Sequence, residues 1–585
     1  MTVQIPPVPT IATSAPAWVA PGPGSWSHDT GHLPGTIQPY MAALLPAAMT
    51  AGFRQGFAAY GVPLDAIELA VVRHRLYGQA RPVGAPPARD GGGGPPPEIV
   101  LRVLLRVHPE MRRRAAAAAA TFANARWRTD LAGWQTDEAP RWRRANRAWQ
   151  QTDPDTLDDA GLAAHIHALN QAFVEATTRH FALIPAKTLP VGEWIAQTRE
   201  WTGATPNEIL AALRGASTAS AGPAAHLATL AGIIRTVPAA MAAVKSQAGD
   251  ARHRLAQLRA SAPSVAAALD AYLDEYGWRS ATGLTLADRT LMEMPEVLLN
   301  SIAASMDRPA DDAQAAADGA VAGLRARIPA AHRPAWERLL ADARLLYGLR
   351  DAEGGLGMLW RGGLLRRALL AAGRRLAARG ALAAVEDLWE ATPREVAALL
   401  GAGPGPAPTD LAARAAERRA AELDTPPATL GPPAGGPPSP DLFPPALGRL
   451  MRAFMTYSTL MDGEDSHPAA PAAPAAPART GLEGRAASAG RYAGPARLVL
   501  TPADFDRVRS GDVLVTQTTS PAYNILLPLL GAVVTDSGGV LCHAALVARE
   551  FGIPAVVGTR TATSTIADGA WVVVDGTRGT VEIGS

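Results

Sequence analysis

The sequence predicts a multidomain protein in which a large, mostly α-helical domain is followed by a small domain of α/β or β/β/α type. Three observations carry this. The chain has 585 residues, well beyond the roughly 250–300 at which a single hydrophobic core stops growing. From about Ile37 to Leu400, apolar residues recur at helical spacing with Pro and Gly in the gaps. Towards the end of the chain, β-rich runs alternate with short helical ones, which argues a compact domain built around a sheet.

The helical part justifies its assignment run by run. Leu162, Ile166, Leu169 and Phe173 fall on one helix face. Further helical signals run over Glu98 to Trp127, Pro206 to Leu213, Pro223 to Arg235, Pro238 to Lys245, Val265 to Tyr276, Pro334 to Tyr347 and Leu364 to Ala378. Thr425 to Pro445 is rich in Pro and Gly, and a short helical piece, Ala446 to Met461, follows. Pro468 to Arg479 is a Pro-Ala tract, extended and semi-rigid at about 3 Å per residue, with nothing to build a core from. It reads as an arm that carries the last domain, and limited proteolysis is expected to cut between about Asp462 and Ser488. That domain shows strand runs at Ala496 to Leu500, Val513 to Thr516, Ala532 to Thr535, Ala555 to Val557, Trp571 to Val574 and Thr580 to Ile583. Apart from the Pro-Ala tract, no fixed-period repeat is present.

Composition removes several functions. Lys+Arg 55 against Asp+Glu 53 leaves no strong field to gather nucleic acid or an acidic membrane. No apolar run approaches the roughly 20 residues that cross a bilayer. The start, Met1-Thr-Val-Gln-Ile-Pro6, lacks a secretory pattern, and a single cysteine forms no internal disulfide, so a reducing cytoplasm is expected. The only lysines are Lys187 and Lys245, and neither follows a glycine-rich phosphate loop. Gly91 to Gly94 is followed by Pro95-Pro-Pro97, which cannot donate backbone N–H groups, and reads as a surface loop.

The chemistry gathers in Thr535-Asp-Ser-Gly-Gly-Val-Leu-Cys-His-Ala-Ala-Leu-Val-Ala-Arg-Glu-Phe-Gly-Ile-Pro-Ala-Val-Val-Gly558. A strand ends at Thr535, Gly538 and Gly539 permit a tight turn, and a helix begins near Leu541. His543 then sits in the first helical turn, at the surface, where unpaired N–H groups and the positive end of the dipole favour an anion such as a phosphoryl group on the imidazole. Arg549 is able to reach toward that phosphate, and Thr519, Ser520 and Pro521 open the preceding helix with hydroxyls. Cys542, at the same helix end, is open to reading as a reactive thiol. No His, Cys or Asp recurs around His543 at metal-ligand spacing, so no metal is expected there.

Taken whole, this segment resembles the phosphohistidine signature of the phosphoenolpyruvate-utilising family, the group of phosphoenolpyruvate synthase, pyruvate phosphate dikinase and rifampin phosphotransferase. Thr519-Ser520-Pro521, Asp568-Gly569 and Val574-Asp575-Gly576 fall where that domain has them, and the resemblance spans roughly Ser488 to Ile583. It implies that His543 is the catalytic nucleophile, phosphorylated by a donor, with Gly538, Gly539, Cys542, Arg549, Thr519 and Ser520 around the phosphate. It also implies a division into a substrate-binding helical domain (1–462), a swivel linker (463–487) and a swivelling β/β/α domain (488–585).

The helical part has motifs of its own: Pro21-Gly-Pro-Gly-Ser-Trp26 with His28 to His32, Arg81-Pro-Val-Gly84, Trp201-Thr-Gly203, Leu213-Arg-Gly-Ala-Ser217, Tyr276-Gly-Trp-Arg279 with Pro295-Glu296, and Arg366-Arg367 with Gly373-Arg-Arg375. In order and spacing they are similar to the substrate-binding domain of rifampin phosphotransferase and related enzymes. His180, Arg279 and Arg366 are the substrate-contact candidates, and each serves equally as a hydrogen-bonded structural residue. Trp194, Trp201 and Trp278 either line an apolar pocket or sit in the core. Members of that group begin with an ATP-grasp domain, whereas here the resemblance starts within the first thirty or so residues. The implied function is that of a phosphotransferase component. A separate ATP-grasp partner, holding ATP and Mg2+, phosphorylates His543, which passes the group to a hydroxyl of an organic, antibiotic-like or biosynthetic molecule, with dehydration as one use of the phosphate. No cofactor is expected to be bound tightly by this chain. The rival reading is a non-catalytic phosphocarrier or regulatory protein that binds a partner through its helical domain.

Overall fold

The computed structural model describes residues 18–84, 98–246, 248–281, 283–307, 313–401, 403–433, 435–463 and 481–584. The glycine stretch 91–94 and the Pro-Ala tract lie outside them. The chain divides into two compact units. The first holds Met1–Lys187, Leu284–Leu286 and Leu356–Arg452, and the second holds Thr188–Gly283, Ala287–Gly355 and Ala453–Ser585. This differs from one helical block ending at 462, because part of the helical sequence packs with the C-terminal sheet in one unit.

In the first unit the helices Leu45–Tyr60 and Asp159–Ala182 form the central pair. Gly52 and Gly56 let them touch: a β-carbon would lie 2.3 Å from Thr178 O at the first and 2.4 Å from Ala182 O at the second. Helix Trp360–Ala378 packs on the same Asp159–Ala182 helix. Its Arg361 is buried, with Nη1 donating to Ala172 O at 2.6 Å and the guanidinium 4.1 Å from the Trp142 ring. Burial pushes the Arg361 guanidinium down to about 10, against the pull of Glu175.

The helical periodicity did not anticipate a four-stranded antiparallel sheet in this unit, ordered β2-β3-β1-β4. Its strands are β1 (Trp26–His28), β2 (Leu64–Val72), β3 (Arg75–Pro82) and β4 (Thr429–Leu430). The β2–β3 hairpin turns on Arg73 and His74, whose φ values of 45° and 61° are both positive. Such turns normally advertise themselves by Asn-Gly or Asp-Gly; here two bulky residues occupy the positions, so the turn carries no sequence signal. Arg73 is held by Asp424 at 2.5 Å, and the His74 ring faces Ile37 O at 3.3 Å.

The second unit contains the predicted sheet with every expected strand in place: β7 (Arg491–Leu498), β8 (Asp512–Thr516), β9 (Leu530–Thr535), β10 (Ala555–Val557), β11 (Trp571–Asp575) and β12 (Thr580–Ile583). Two more, β5 (Gly481–Glu483) and β6 (Arg485–Ser488), occupy sequence read as linker, so the domain begins by Gly481 rather than Ser488. Both are short and Gly- or Ala-rich, and both sit at sheet edges in the order β5-β12-β11-β7-β8-β9-β10-β6, where weak strand formers are tolerated. β7, β8, β9 and β10 run parallel, and the rest pair antiparallel.

Alternation along these strands sorts the core. Val513, Val515, Ala532, Val534 and Val556 pack with Val572, Val574 and Val581 on one face. Leu514, Val533, Ala555 and Val557 point to the other, where they join Ala544, Leu546 and Val547 of helix His543–Phe551 and a run of side chains from Val191 to Tyr347. The helices of this unit match their signals closely: Pro206–Ala211, Thr218–Arg235, Pro238–Lys245, Pro263–Tyr276 and Arg333–Tyr347. Among the described residues no single helix is long and apolar enough to cross a membrane; only the pair Gly222–Arg235 and Pro238–Lys245, bent by 117°, meets that test together.

Candidate functional site

The loop that carries the candidate histidine is fixed before it becomes a helix. β9 ends at Thr535, and Asp536 accepts hydrogen bonds from Thr563 N, at 3.0 Å, and from the Thr563 hydroxyl. Gly538 has φ +107°, and a β-carbon there would meet Cys542 Sγ at 2.8 Å. A β-carbon on Gly539 would lie 2.3 Å from Leu460 O. The reason for that second glycine is close packing: Gly539 N and Leu541 N donate to Met461 O and Leu460 O, each at 2.8 Å, closing the end of helix Pro445–Asp462. The Gly539 amide, a residue expected around a phosphate, is therefore engaged with a helix C-terminus, as is that of Leu541. Cys542 is the N-cap residue and His543 the first residue of helix His543–Phe551, which stops at Gly552 with φ 62° ahead of Ile553-Pro554.

His543 is not a surface residue: it is 2% exposed. Thr519 Oγ1 stands 3.1 Å from its Nδ1, whereas Nε2 is buried with no hydrogen-bond partner among the described residues. Burial pushes the imidazole down to about 4, with Asp351 pulling it up and Arg350 pushing it down. At neutral pH it is uncharged. In the tautomer that donates Nδ1–H to Thr519, Nε2 keeps its lone pair, the state a nucleophile requires.

Arg350 and Asp351, on helix Leu349–Gly354, are the charged groups that face His543, and they were missed at the level of sequence. A signal existed. Leu349-Arg-Asp-Ala-Glu353 places three charges in one turn, yet Asp351 and Glu353 are buried, which charges accept only with partners. The stretch continues into a π-helical turn, Gly355–Leu359, a feature frequent at functional sites. Arg350 is also bonded to the Tyr457 hydroxyl and lies 3.5 Å from Met461 Sδ.

The other expected site residues divide. Thr519 touches the histidine, and Ser520 Oγ, beside it, is buried without a hydrogen-bond partner among the described residues. The Cys542 thiol is pushed up by burial, against the opposing pull of the Ala545 N–H, so it is neither a thiolate nor a reactive nucleophile here. Arg549 departs from the expected phosphate contact: its Nη1 donates to Ala487 O at 2.7 Å and its Nη2 to Val540 O at 2.6 Å. The guanidinium thus braces the loop in front of His543 against β6. Arg549→Ala is expected to cost about 2–4 kcal/mol of stability, because it strands two buried carbonyls; denaturant unfolding of the full chain checks this.

Of the substrate candidates, His180 and Arg366 belong to the first unit and Arg279 to the second. His180 is buried, with its ring 4.9 Å from that of Phe181, and its carbonyl accepts Lys187 Nζ at 2.9 Å. Arg366 lies 5.0 Å over the Trp389 ring and donates to Leu286 O. Arg279 is paired with Glu275 at 2.6 Å and lies 4.6 Å over Tyr276. Trp194 is fully buried core, and Trp201 stacks on His332 at 4.8 Å.

A buried neutral histidine thus opens a helix after a glycine pair on a mixed sheet, and comparison with known proteins places this region with a known type of domain. Residues 508–579 match the model for the PEP-utilising enzyme, mobile domain, and residues 181–351 match that for the rifampicin phosphotransferase fourth domain. Over these two stretches the chain is similar to phosphoenolpyruvate-utilising enzymes and phosphotransferases. Similar curated proteins include the uncharacterized phosphotransferase YvkC of Bacillus subtilis, 45% identical over 100 residues, and a probable phosphoenolpyruvate synthase of Archaeoglobus fulgidus, 44% identical over 100 residues. The phosphoenolpyruvate synthase of Aeropyrum pernix is 46% identical over 105 residues. The matched stretch covers 17%, 17% and 18% of this chain and only 12%, 13% and 13% of those relatives. The Trp201, Leu213, Tyr276 and Pro295 motifs fall inside the fourth-domain match, whereas those at Pro21, Arg81 and Arg366 fall outside it.

Proposed function

We propose that the protein is the acceptor half of a dikinase-type phosphotransferase. A separate ATP-grasp partner, holding ATP and Mg2+, phosphorylates His543 at Nε2 as both phosphoanhydride bonds of ATP break, the β-phosphoryl group going to the imidazole and the γ-phosphoryl group to water, with AMP and phosphate released. The histidine then passes the phosphoryl group to a hydroxyl of an organic small molecule held by the helical region, the Pro-Ala tract serving as the arm between the two stations. The observation that supports this most is the state of His543: uncharged, paired with Thr519 through Nδ1, its Nε2 buried without a hydrogen-bond partner among the described residues, and its charge acted on by Arg350 and Asp351. In this reading Arg350 balances the charge of the transferring group, and Asp351 takes the proton from the acceptor hydroxyl. The phosphorylated hydroxyl is either the product or a leaving group for dehydration.

The test is to combine the chain with a candidate ATP-grasp protein and to follow AMP release over a panel of hydroxylated compounds. AMP release that depends on one of them supports the proposal; ATP consumption indifferent to every small molecule supports a phosphocarrier instead. Asp351→Asn is expected to leave phosphorylation of His543 by the partner intact while slowing transfer to the acceptor by about 10²–10⁴-fold, the usual worth of a general base. Single-turnover transfer from the isolated phosphoprotein measures it.

A further inference from the structure

The Leu213-Arg-Gly-Ala-Ser217 motif has no part in the phosphoryl chemistry above, yet it is joined to the helix that carries His543. We propose that Glu550 is a positioning residue, whose buried carboxyl plugs into the backbone of the Gly215–Ser217 turn and so seats His543 against Arg350 and Asp351. The proposal rests on the reading of this domain as a swivelling one.

The geometry is specific. His543 and Glu550 are seven residues apart on one helix, two turns along the same face. The Gly215 N–H donates to Glu550 Oε2 at 2.9 Å, and the Ser217 N–H is bonded to the same carboxyl. Gly215 has φ 75°, a left-handed conformation that turns its amide out of the preceding chain. Helix Thr218–Arg235 begins immediately after Ser217, so the carboxyl also meets a helix N-terminus. The charged and titratable groups around it are Arg549 on its own helix, Arg214 beside the turn, and Tyr347 at the end of Arg333–Tyr347. Glu550 is only 8% exposed, and it touches nothing that His543 chemistry uses, so its role is exerted through the seating of the helix.

Seating buries both groups, and each responds by moving a proton. Burial raises Glu550 from 4.5 to about 7, against the two amides and the arginines. A raised carboxyl favours the seated state fully below pH 4.5 and loses that contribution as pH climbs through 7. Burial lowers His543 from 6.5 to about 4, so its contribution is full above pH 6.5 and is lost as pH falls toward 4. Between those limits the seated helix holds its proton on Glu550, and the free one holds it on His543. The two dependences cancel, and seating is nearly indifferent to pH around neutrality.

Hydrogen exchange of the Gly215 and Ser217 amides in the full chain, divided by the intrinsic rate at pH 5 and at pH 7, reads the seating equilibrium without ATP, partner or acceptor. Wild-type protection is expected to differ by about twofold or less between the two pH values. Glu550→Gln keeps an acceptor oxygen but loses the titration, exposing that of His543, so its protection is expected to rise about 20-fold from pH 5 to pH 7. Glu550→Ala is expected to speed exchange at both amides at least tenfold at pH 7, while peptides covering 571–583 stay protected and show that the sheet is folded. Unchanged protection in Glu550→Ala, or a Gln variant with the wild-type pH response, overturns the proposal. Either outcome leaves His543 phosphorylation untouched, whereas a failure of His543 to accept phosphate leaves the exchange pattern standing, so the two readings fail separately.

Discussion

His543→Ala is expected to lower phosphoryl transfer by about 10⁴-fold or more, since removing the nucleophile of a covalent mechanism leaves only what binding supplies. The burial of the imidazole changes what must be controlled. A surface histidine is removed at no structural cost, but this one is 2% exposed and bonded to Thr519, so its loss leaves a cavity and an unpaired hydroxyl worth about 1–2 kcal/mol. His543→Gln, of similar volume, separates the two effects: it is expected to retain the stability that alanine loses and to be equally dead. Radiolabel transferred from ATP by the partner should be lost in acid and kept in base, as expected of a phosphoramidate. Label found on Thr519, Ser520, Ser537 or Cys542, or full turnover in either variant, would falsify the assignment. The Cys542 outcome is the least expected, because burial disfavours its thiolate.

The sequence allowed the sheet domain to be drawn strand by strand because its runs of Val, Ala and Ile are bounded by Gly, Pro and Asp, and because parallel strands buried on both faces read as continuous apolar stretches. β5 and β6 escaped that logic, being short edge strands that draw their stability from pairing with β12 and β10. The β2–β3 hairpin escaped because Arg73 and His74 adopt positive φ without glycine or asparagine. At the site, His543 was legible from its glycines and its helix start, whereas Arg350 and Asp351 lie nearly two hundred residues upstream and meet it only through folding. The carbonyl contacts of Arg549 were not legible for a related reason. Its place on the His543 helix follows from the sequence, but which carbonyls so long a side chain reaches depends on β6, a strand that the sequence did not announce.

Gly539→Ala is expected to be strongly damaging for a change of one methyl group beside His543. The added methyl would stand 2.3 Å from Leu460 O, with Leu460 C and Gly463 N both at 2.9 Å, and all three are backbone atoms that no rotamer change can move aside. Either the loop retreats, breaking the Gly539 N to Met461 O and Leu541 N to Leu460 O bonds, or the end of helix Pro445–Asp462 unwinds. Two amide–carbonyl bonds and the unsatisfied groups left behind amount to about 2–4 kcal/mol. That energy is lost from the arrangement seen here, in which His543 faces Arg350 and Asp351. A loop freed from the helix end retains its own glycine turn and its Thr519 contact. The variant is therefore expected to take phosphate from the partner at close to the wild-type rate and to deliver it to the acceptor about 30- to 1000-fold more slowly, the kinetic equivalent of that range. Equal slowing of both half-reactions would instead show that Gly539 shapes the histidine itself rather than the place where it docks.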